Sequence, residues 1–432
     1  MAVAVVRARA LASPLLDPRA FGAVVAVGLA LRVVAVLAIG ASGVSLHEFG
    51  VIGANMGAGR GFSHFAAQPG GSVVADYGRT GDPLPSAFMP PGYTAVVAGA
   101  ISLGSGHEAT VRILQVLNLA GAAATMLLLH RLGRDLYGPL AGRLAALAFA
   151  VYPATVYQAT QASASNLYIP IELGVVVLLL VAARRGRMGP VVTAGAVVGG
   201  LYLFRSEAVA MAPLAAVWLW AALRRTVGAA TGRRLAAAFL VTAAVVPSAW
   251  LVRNAVAFGR PVPTIMSTGG FALWMGYHDG ATGSQKSYVE PADLKSELAA
   301  VAPTKDYELE RDAVYRRHAV EYLKAEPGEA LAANAKKFLM LVTFDFYDDR
   351  ARNPVSLLGW LALAALGLAG ATRRPPPAPA RGLLLGYAGF TLVLTSVLFV
   401  VARYRLPIEM VLMVLAAGLV ARWVGEPDGV PQ

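Results

Sequence analysis

The sequence has no cysteine. Thiol nucleophiles, iron–sulfur clusters, Cys-ligated zinc and a disulfide scaffold are therefore excluded. Charge is scarce as well. Asp, Glu, Lys and Arg make up 14% of the 432 residues, where a soluble globular domain carries roughly 25%. Their place is taken by Ala, Val, Leu and Gly, and the hydrophobic share reaches 57%. Such a composition excludes a soluble enzyme and a disordered chain. No His pair has metal-binding spacing such as HExxH, so no cofactor is expected, with a divalent metal left open.

What the chain does have is long apolar runs. Stretches of near-spanning length lie at 22–40, 110–130, 142–157, 166–183, 190–204, 208–223, 235–252, 354–371, 383–400 and 406–423. A helix crossing a bilayer needs ~17–25 apolar residues, so several of these ten are short and an eleventh is conceivable. Arg7, Arg9 and Arg19 precede the first run. They look like a signal-peptide n-region, but the run behind them is long, and it reads as an anchor. The expected fold class is an all-α polytopic membrane protein. We divide it into an N-terminal membrane region (1–252, with a first outer loop at 41–109), a cap (253–353) and a C-terminal membrane region (354–432).

The net charge of +12 comes from 37 Lys+Arg against 25 Asp+Glu. It could mark a nucleic-acid surface or a membrane orientation. An apolar run at 92–104 decides how the loops are assigned. If it lies in the interface, segments 1–21, 131–143, 184–189, 224–234, 372–382 and 422–432 share one side. They hold seventeen arginines, no lysine and only four acids, a net of +13, and the rest of the chain nets −1. Positive charge gathers on the cytoplasmic side, which places both termini in the cytoplasm and makes 92–104 an interfacial or re-entrant helix. A nucleic-acid partner is excluded, because the arginines are dispersed, at most four to a loop.

Two outer segments then hold the chemistry. In 41–109, Ser45, His47 and Glu48 open a helix-like run, with Ser45, Glu48 and Asn55 on one face. Glu48 could take a proton from a hydroxyl, or be an ordinary interfacial carboxylate. Asp76 lies in a polar loop further on. In 253–353, residues 306–326 read as a solvent-facing amphipathic helix ended by Pro327-Gly328, and Asn334–Lys337 lead into a second that lies on the membrane. Arg205-Ser206-Glu207 interrupts apolar sequence at an outer boundary. Arginine there suits a phosphate, or it closes a turn by pairing with an acid. Arg403-Tyr404-Arg405 opens the last run, where Arg405 could instead pair with Glu409 one turn on. The polar stretch 158–166 has no evident role.

The order of these features resembles the multi-spanning glycosyltransferases of the GT-C fold. The similarity is to bacterial relatives of protein O-mannosyltransferases and of the enzyme that adds aminoarabinose to lipid A. It rests on Glu48-Phe49, Gly59-Arg60-Gly61-Phe62, Met89-Pro90-Pro91-Gly92-Tyr93, Val111-Arg112-Ile113-Leu114-Gln115, Phe204-Arg205-Ser206-Glu207, Gly259-Arg260-Pro261-Val262-Pro263, Leu273-Trp274-Met275-Gly276 and Arg403-Tyr404-Arg405-Leu406-Pro407. The resemblance implies a polyprenyl-phosphate sugar donor, transfer on the extracytoplasmic face and an acidic catalytic residue in the first outer loop. The chain departs from the pattern where relatives carry Asp, at Ser45, and also at Ser165-Asn166, at Arg205-Ser206-Glu207 and at Met275-Gly276-Tyr277.

The expected function is inverting glycosyl transfer, from that donor in the bilayer to a glycan, lipid or protein acceptor. Glu48 is the expected base, and Arg205, Arg403 and Arg405 would hold the donor phosphate. His47, Asp76, Glu207, Trp274, Tyr277 and His278 are candidates for sugar or acceptor contact. The loss of the Asp leaves open a non-catalytic member that binds a lipid-linked sugar or scaffolds an assembly. A transporter is a third reading, with Arg32, Arg112 and Glu172 as candidate buried charges, few and without evident partners.

Overall fold

In a computed structural model, residues 15, 17–66, 82–285, 288–348 and 353–424 are described. Asp76 lies outside them. Among the described residues seven helices are long and apolar enough to cross a membrane: α1 (Ala20–Ile39), α4 (His107–Tyr137), α7 (Ser165–Arg185), α10 (Ala229–Phe258), α15 (Pro354–Arg373), α16 (Ala378–Val397) and the Ala402–Val424 segment containing α17 (Leu406–Val424). Three further expected spans fall on shorter apolar helices, α5 (Pro139–Val151), α8 (Met188–Phe204) and α9 (Ala208–Leu223). The chain is an all-α, multi-pass membrane protein.

The expected span at 142–157 is a correction. It breaks at Tyr152-Pro153 into α5 and α6 (Pro153–Gln158). Proline has no N–H to give the carbonyl four residues back, so Phe149 O loses its helical donor. The side chain of Arg32, fully buried on α1, supplies donors from another helix. It gives hydrogen bonds to Phe149 O (3.0 Å), Ala150 O (2.9 Å), Gly28 O (2.9 Å) and Thr155 Oγ1 (2.9 Å). The buried charges of the transporter reading are therefore not without partners. Arg112 is a correction: it is exposed, not buried, and gives hydrogen bonds to Val36 O and Gln115.

Helix packing relies on small residues, as expected where lipid supplies no hydrophobic contrast. A Cβ on Gly370 would lie 2.2 Å from Leu415 O, and one on Gly195 would lie 2.0 Å from Thr242 Oγ1. The central element is α17, buried along most of its length and packed on α15, α5 and α4. Leu31, Val34 and Leu37 of α1 and Leu358 and Leu361 of α15 face outward, towards lipid.

The arginine-rich loops meet at one end of the bundle. Arg374 donates to Gly418 O (2.7 Å) and Tyr137 O (3.4 Å), Arg184 to Asp135 O (3.5 Å), Arg422 to Arg373 O (3.0 Å), and Arg143 to Leu15 O. At the other end stand α2 (His47–Gly57) and α3 (Pro91–Leu103). The 13 residues of α3 span about 20 Å, short of a ~30 Å hydrocarbon core, in keeping with an interfacial position. A two-stranded antiparallel pair, β1 (Ser63–His64) with β2 (Leu84–Pro85), packs through β1 against α2. The polar stretch 158–166 also has a role here. Gln115 Nε2 and Asn118 Nδ2 donate to the carbonyls of Thr160, Ala159 and Gln161, all near 3.0 Å.

The cap holds the expected helix at 306–326 as α13 (Tyr307–Ala325), while the second, α14 (Pro327–Val342), begins directly after it, so that Asn334–Lys337 lie within the helix and do not lead into it. The cap also holds α11 (Gly269–Gly276) and α12 (Ala292–Ala300), which the charge pattern did not announce.

Replacing Gly195 by Val should force α8 and α10 apart, at a cost of about 1–3 kcal/mol and a lower melting midpoint in detergent. The same change at Gly200, whose Cβ would meet nothing within 4 Å, should leave the midpoint in place.

Candidate functional site

The candidate site is built at the end away from the arginine-rich loops. Helix α2 begins at His47, which stands at φ 50°, a left-handed conformation uncommon outside glycine. Ser45 precedes the helix, is exposed, and accepts the His47 N–H at 3.1 Å. Ser45 therefore does not share the face of Glu48 and Asn55, as the helical reading had expected. Those two are buried together, with Asn55 Nδ2 donating to Ser63 O at 3.0 Å. Glu48 lies in the first turn of α2, where the helix dipole favours negative charge. Among the described residues its carboxylate has no ion pair or hydrogen bond. Across from it on the cap side stands Tyr288. Burial there pushes the phenol pKa up to about 12, helped by the charges of Glu290 and Glu48.

Packing ties Glu48 to the arginines. Phe49 meets Tyr93 edge-on at 4.9 Å. Next to Tyr93, Gly92 leaves room for Phe204, whose ring a Cβ would meet at 2.6 Å. Phe204 ends α8, and Arg205 follows it.

Arg205 is buried in a network the sequence did not reveal. Its Nη1 is 3.2 Å from Glu172 Oε1 on α7, and its Nε is 3.4 Å from Glu207. Tyr387 on α16 donates to Glu172 Oε2 at 2.6 Å, and the guanidinium stands over the rings of Tyr168 (4.8 Å) and Tyr404 (5.8 Å). Glu172 is thus paired as well, against the expectation that it lacked a partner. Arg405 is also engaged. It donates to Glu409 Oε1 (2.8 Å) and Thr343 O (2.9 Å) and lies over Trp360 at 4.0 Å, while Tyr152 donates to the same Glu409 oxygen at 3.0 Å. Arg403 differs. It is exposed, 5.8 Å from the Tyr404 ring, and among the described residues its guanidinium has no ion pair or hydrogen bond.

The cap candidates form its interior. Trp274 is buried against Phe271, Tyr288, Tyr315 and the His278 ring (4.2 Å). Tyr277 is buried and donates to Asn334 Oδ1 at 2.5 Å. His278 is buried with neither ring nitrogen hydrogen-bonded among the described residues, and burial pushes its pKa down to about 4. Charge patterning missed Glu308, which staples cap to first loop. Its carboxylate accepts Ala87 N–H (2.8 Å) and the Ser267 hydroxyl (3.1 Å), and burial pushes its pKa up. Asp312, also raised by burial, accepts the N–H groups of Gly270 (2.6 Å) and Phe271 (3.1 Å) at the start of α11.

Comparison with known proteins agrees with the architecture. A family model described as dolichyl-phosphate-mannose-protein mannosyltransferase matches residues 89–252. No curated protein matches the chain. Among solved structures, the oligosaccharyltransferase of Archaeoglobus fulgidus is similar in its apo form at a TM-score of 0.53 with 14% identity, over 93% of this chain and 50% of that one. The same enzyme tethered to an acceptor peptide is similar at 0.54 with 13% identity, over 94% and 50%. The chain spans about half the length of that enzyme. ArnT from Cupriavidus metallidurans bound to undecaprenyl phosphate is similar at a TM-score of 0.45 with 16% identity, over 95% of this chain and 78% of that one. The chain has the GT-C fold.

Two measurements check these environments. Removing one partner of a buried ion pair costs about 3–5 kcal/mol. Arg205→Met should therefore destabilise strongly, and adding Glu172→Gln should give back part of that loss in a double-mutant cycle. The unfolded chain protonates His278 near pH 6.5, whereas the folded chain does so only near 4. Stability from this group should be complete above pH 6.5 and fall towards pH 4, by about 3 kcal/mol. In His278→Phe that part of the pH slope should vanish.

Proposed function

We propose that the chain is a membrane glycosyltransferase that moves a sugar from a polyprenyl-phosphate donor to an acceptor hydroxyl on the extracytoplasmic face. The observation that carries the reading is a carboxylate and a guanidinium at the end away from the arginine-rich loops, Glu48 at the start of α2 and Arg403 ahead of the last span, neither with an ion pair or side-chain hydrogen bond among the described residues. The match of residues 89–252 to a dolichyl-phosphate-mannose-dependent family supports a lipid-linked donor.

Glu48 takes the proton from the acceptor hydroxyl. The resulting oxygen attacks the anomeric carbon from the face opposite the phosphate. The bond from that carbon to the phosphate oxygen breaks, and its electron pair leaves with the polyprenyl phosphate. An oxocarbenium-like transition state lies between, as in glycoside chemistry. Arg403 meets the charge growing on the departing phosphate. Arg205 and Arg405 act differently from the sequence expectation. Each is already held by a carboxylate, so each shapes the floor beside Arg403 in place of binding phosphate directly. The cap, stapled to the first loop by Glu308, keeps water from the donor. His47 and Glu207, at the rim, remain candidates for contact with sugar or acceptor.

The Ser45 departure keeps one other reading in play, a lipid-linked-sugar binder without turnover. In purified protein given polyprenyl-phosphate sugars, Glu48→Gln should lower kcat by about 10²–10⁴-fold with donor binding retained. Arg403→Ala should weaken donor use and Arg403→Lys should restore part of it. Wild-type rates in Glu48→Gln would remove the base assignment, and binding without turnover by the wild type would favour the second reading.

A further inference from the structure

Lysine is rarely fully buried without an acid partner. Lys337 is fully buried on α14, and among the described residues no carboxylate lies within ion-pair distance of it. Its Nζ faces three carbonyls: Leu398 O at 3.0 Å, Val397 O at 3.2 Å and Gly276 O at 3.5 Å. Gly276 is the last residue of α11, and Val397 the last of α16. One ammonium thus serves two helix C-termini, whose unpaired carbonyls and dipoles both attract a cation. The Tyr277 ring lies 3.8 Å beneath the ammonium.

Two glycines make the room. A Cβ on Gly276 would stand 2.1 Å from Leu398 O, and one on Gly283, at φ +79°, would stand 2.6 Å from Lys337 Cγ. Beyond Leu398 the chain is stitched to the same cap segment, with Val400 N–H donating to Gly283 O (2.8 Å) and Gln285 N–H to Val400 O (3.3 Å). Five residues after Leu398 comes Arg403. The opposite face of α14 exposes Leu331, Phe338 and Leu339, an apolar surface suited to the membrane interface. Lys337 therefore joins an interfacial helix, the cap and the strap at 398–401.

We propose that Lys337 is a positioning residue: by capping α11 and α16 together it fixes the 398–401 strap, and so the place of Arg403. The role of Arg403 rests on the function proposed above, whereas the clamp itself does not. A protonated lysine offers three donors to three carbonyls. A neutral amine offers two and turns a lone pair towards oxygen, so the grip depends on the proton. Burial pushes the pKa of Lys337 down to about 7. The clamp is full below that pH and loosens above it. Ionisable groups on the elements around it are Tyr277, His278 and the exposed Asp279 after α11, Asp345 held by Ser284 (2.6 Å), Lys336 on the outer side of α14, and Arg403, Tyr404 and Arg405 beyond the strap.

The natural sequence has no cysteine, so Ala402→Cys carries a single nitroxide label on the full-length protein in nanodiscs. The label should be immobile at pH 6 and gain mobility with a midpoint near pH 7. In Lys337→Met it should be mobile at both ends, and in Lys337→Arg, whose charge persists, immobile at both. In the transfer assay Lys337→Met should lose at least tenfold in kcat/KM for a polyprenyl-phosphate sugar, and Lys337→Arg should recover rate and flatten the profile above pH 7. Label spectra unchanged by pH in the wild type, or a Lys337→Met protein with wild-type spectra and kcat/KM, overturns the proposal. Should Lys337→Met fail to fold, the wild-type titration decides. A label that responds as expected in a protein that transfers no sugar sinks the glycosyl-transfer reading and leaves the clamp standing.

Discussion

Charge carried into hydrocarbon must be met there, because an unpaired ion in that setting costs several kcal/mol or more. Much of this bundle follows from that requirement. Arg32 takes up the carbonyls of Phe149 and Ala150 at the Pro153 break, 117 and 118 residues away. Arg374 ties α15 to the carbonyls of Gly418 and Tyr137. Arg205 and Arg405 each settle on a glutamate from the apolar helices. The same requirement sends the unpaired arginines into the loops at one end, which those contacts hold together.

For function, the consequence is subtraction. Of the three arginines expected to hold the donor phosphate, two are spent on Glu172, Glu207 and Glu409. The third, Arg403, is exposed and stands beside a ring it shares with the Arg205 network. Glu48 is its counterpart on the first loop, reached through Phe49, Tyr93 and Phe204. The strained backbone of His47 lies directly before it, and backbone strain tends to persist where surrounding structure holds a functional group in place. Lys337 extends the same logic into the cap. It is another buried charge that meets carbonyls, and it meets them at the root of the strap that carries Arg403.

The helices were largely legible in the sequence, because a spanning helix is a local property of some twenty residues. The sharing of one end by the arginine loops was legible from their placement alone. The break at Pro153 was also in view, since proline disfavours helix in the residue before it, but the apolar run around it hid the signal. The pairings were not legible. Glu172 and Arg205 are 33 residues apart, and Arg405 reaches Thr343 across 62. Nothing local says which acid or carbonyl a buried arginine will find. Trp274, Tyr277 and His278 read in sequence as sugar or acceptor contacts, yet Tyr288 and Tyr315 pack on Trp274, Asn334 and Lys337 of α14 engage Tyr277, and His278 lies against Trp274. The cap core that does so depends on contacts over tens of residues.

The account stands on polarity: an arginine-rich end in the cytoplasm, and the end holding Glu48 and Arg403 outside. Single cysteines at Arg187 and Ala402, both exposed and at opposite ends, test it in intact cells with a membrane-impermeant maleimide. The account predicts labelling at 402 and none at 187 until the membrane is opened. Labelling at 187 from outside, with 402 protected, would contradict it.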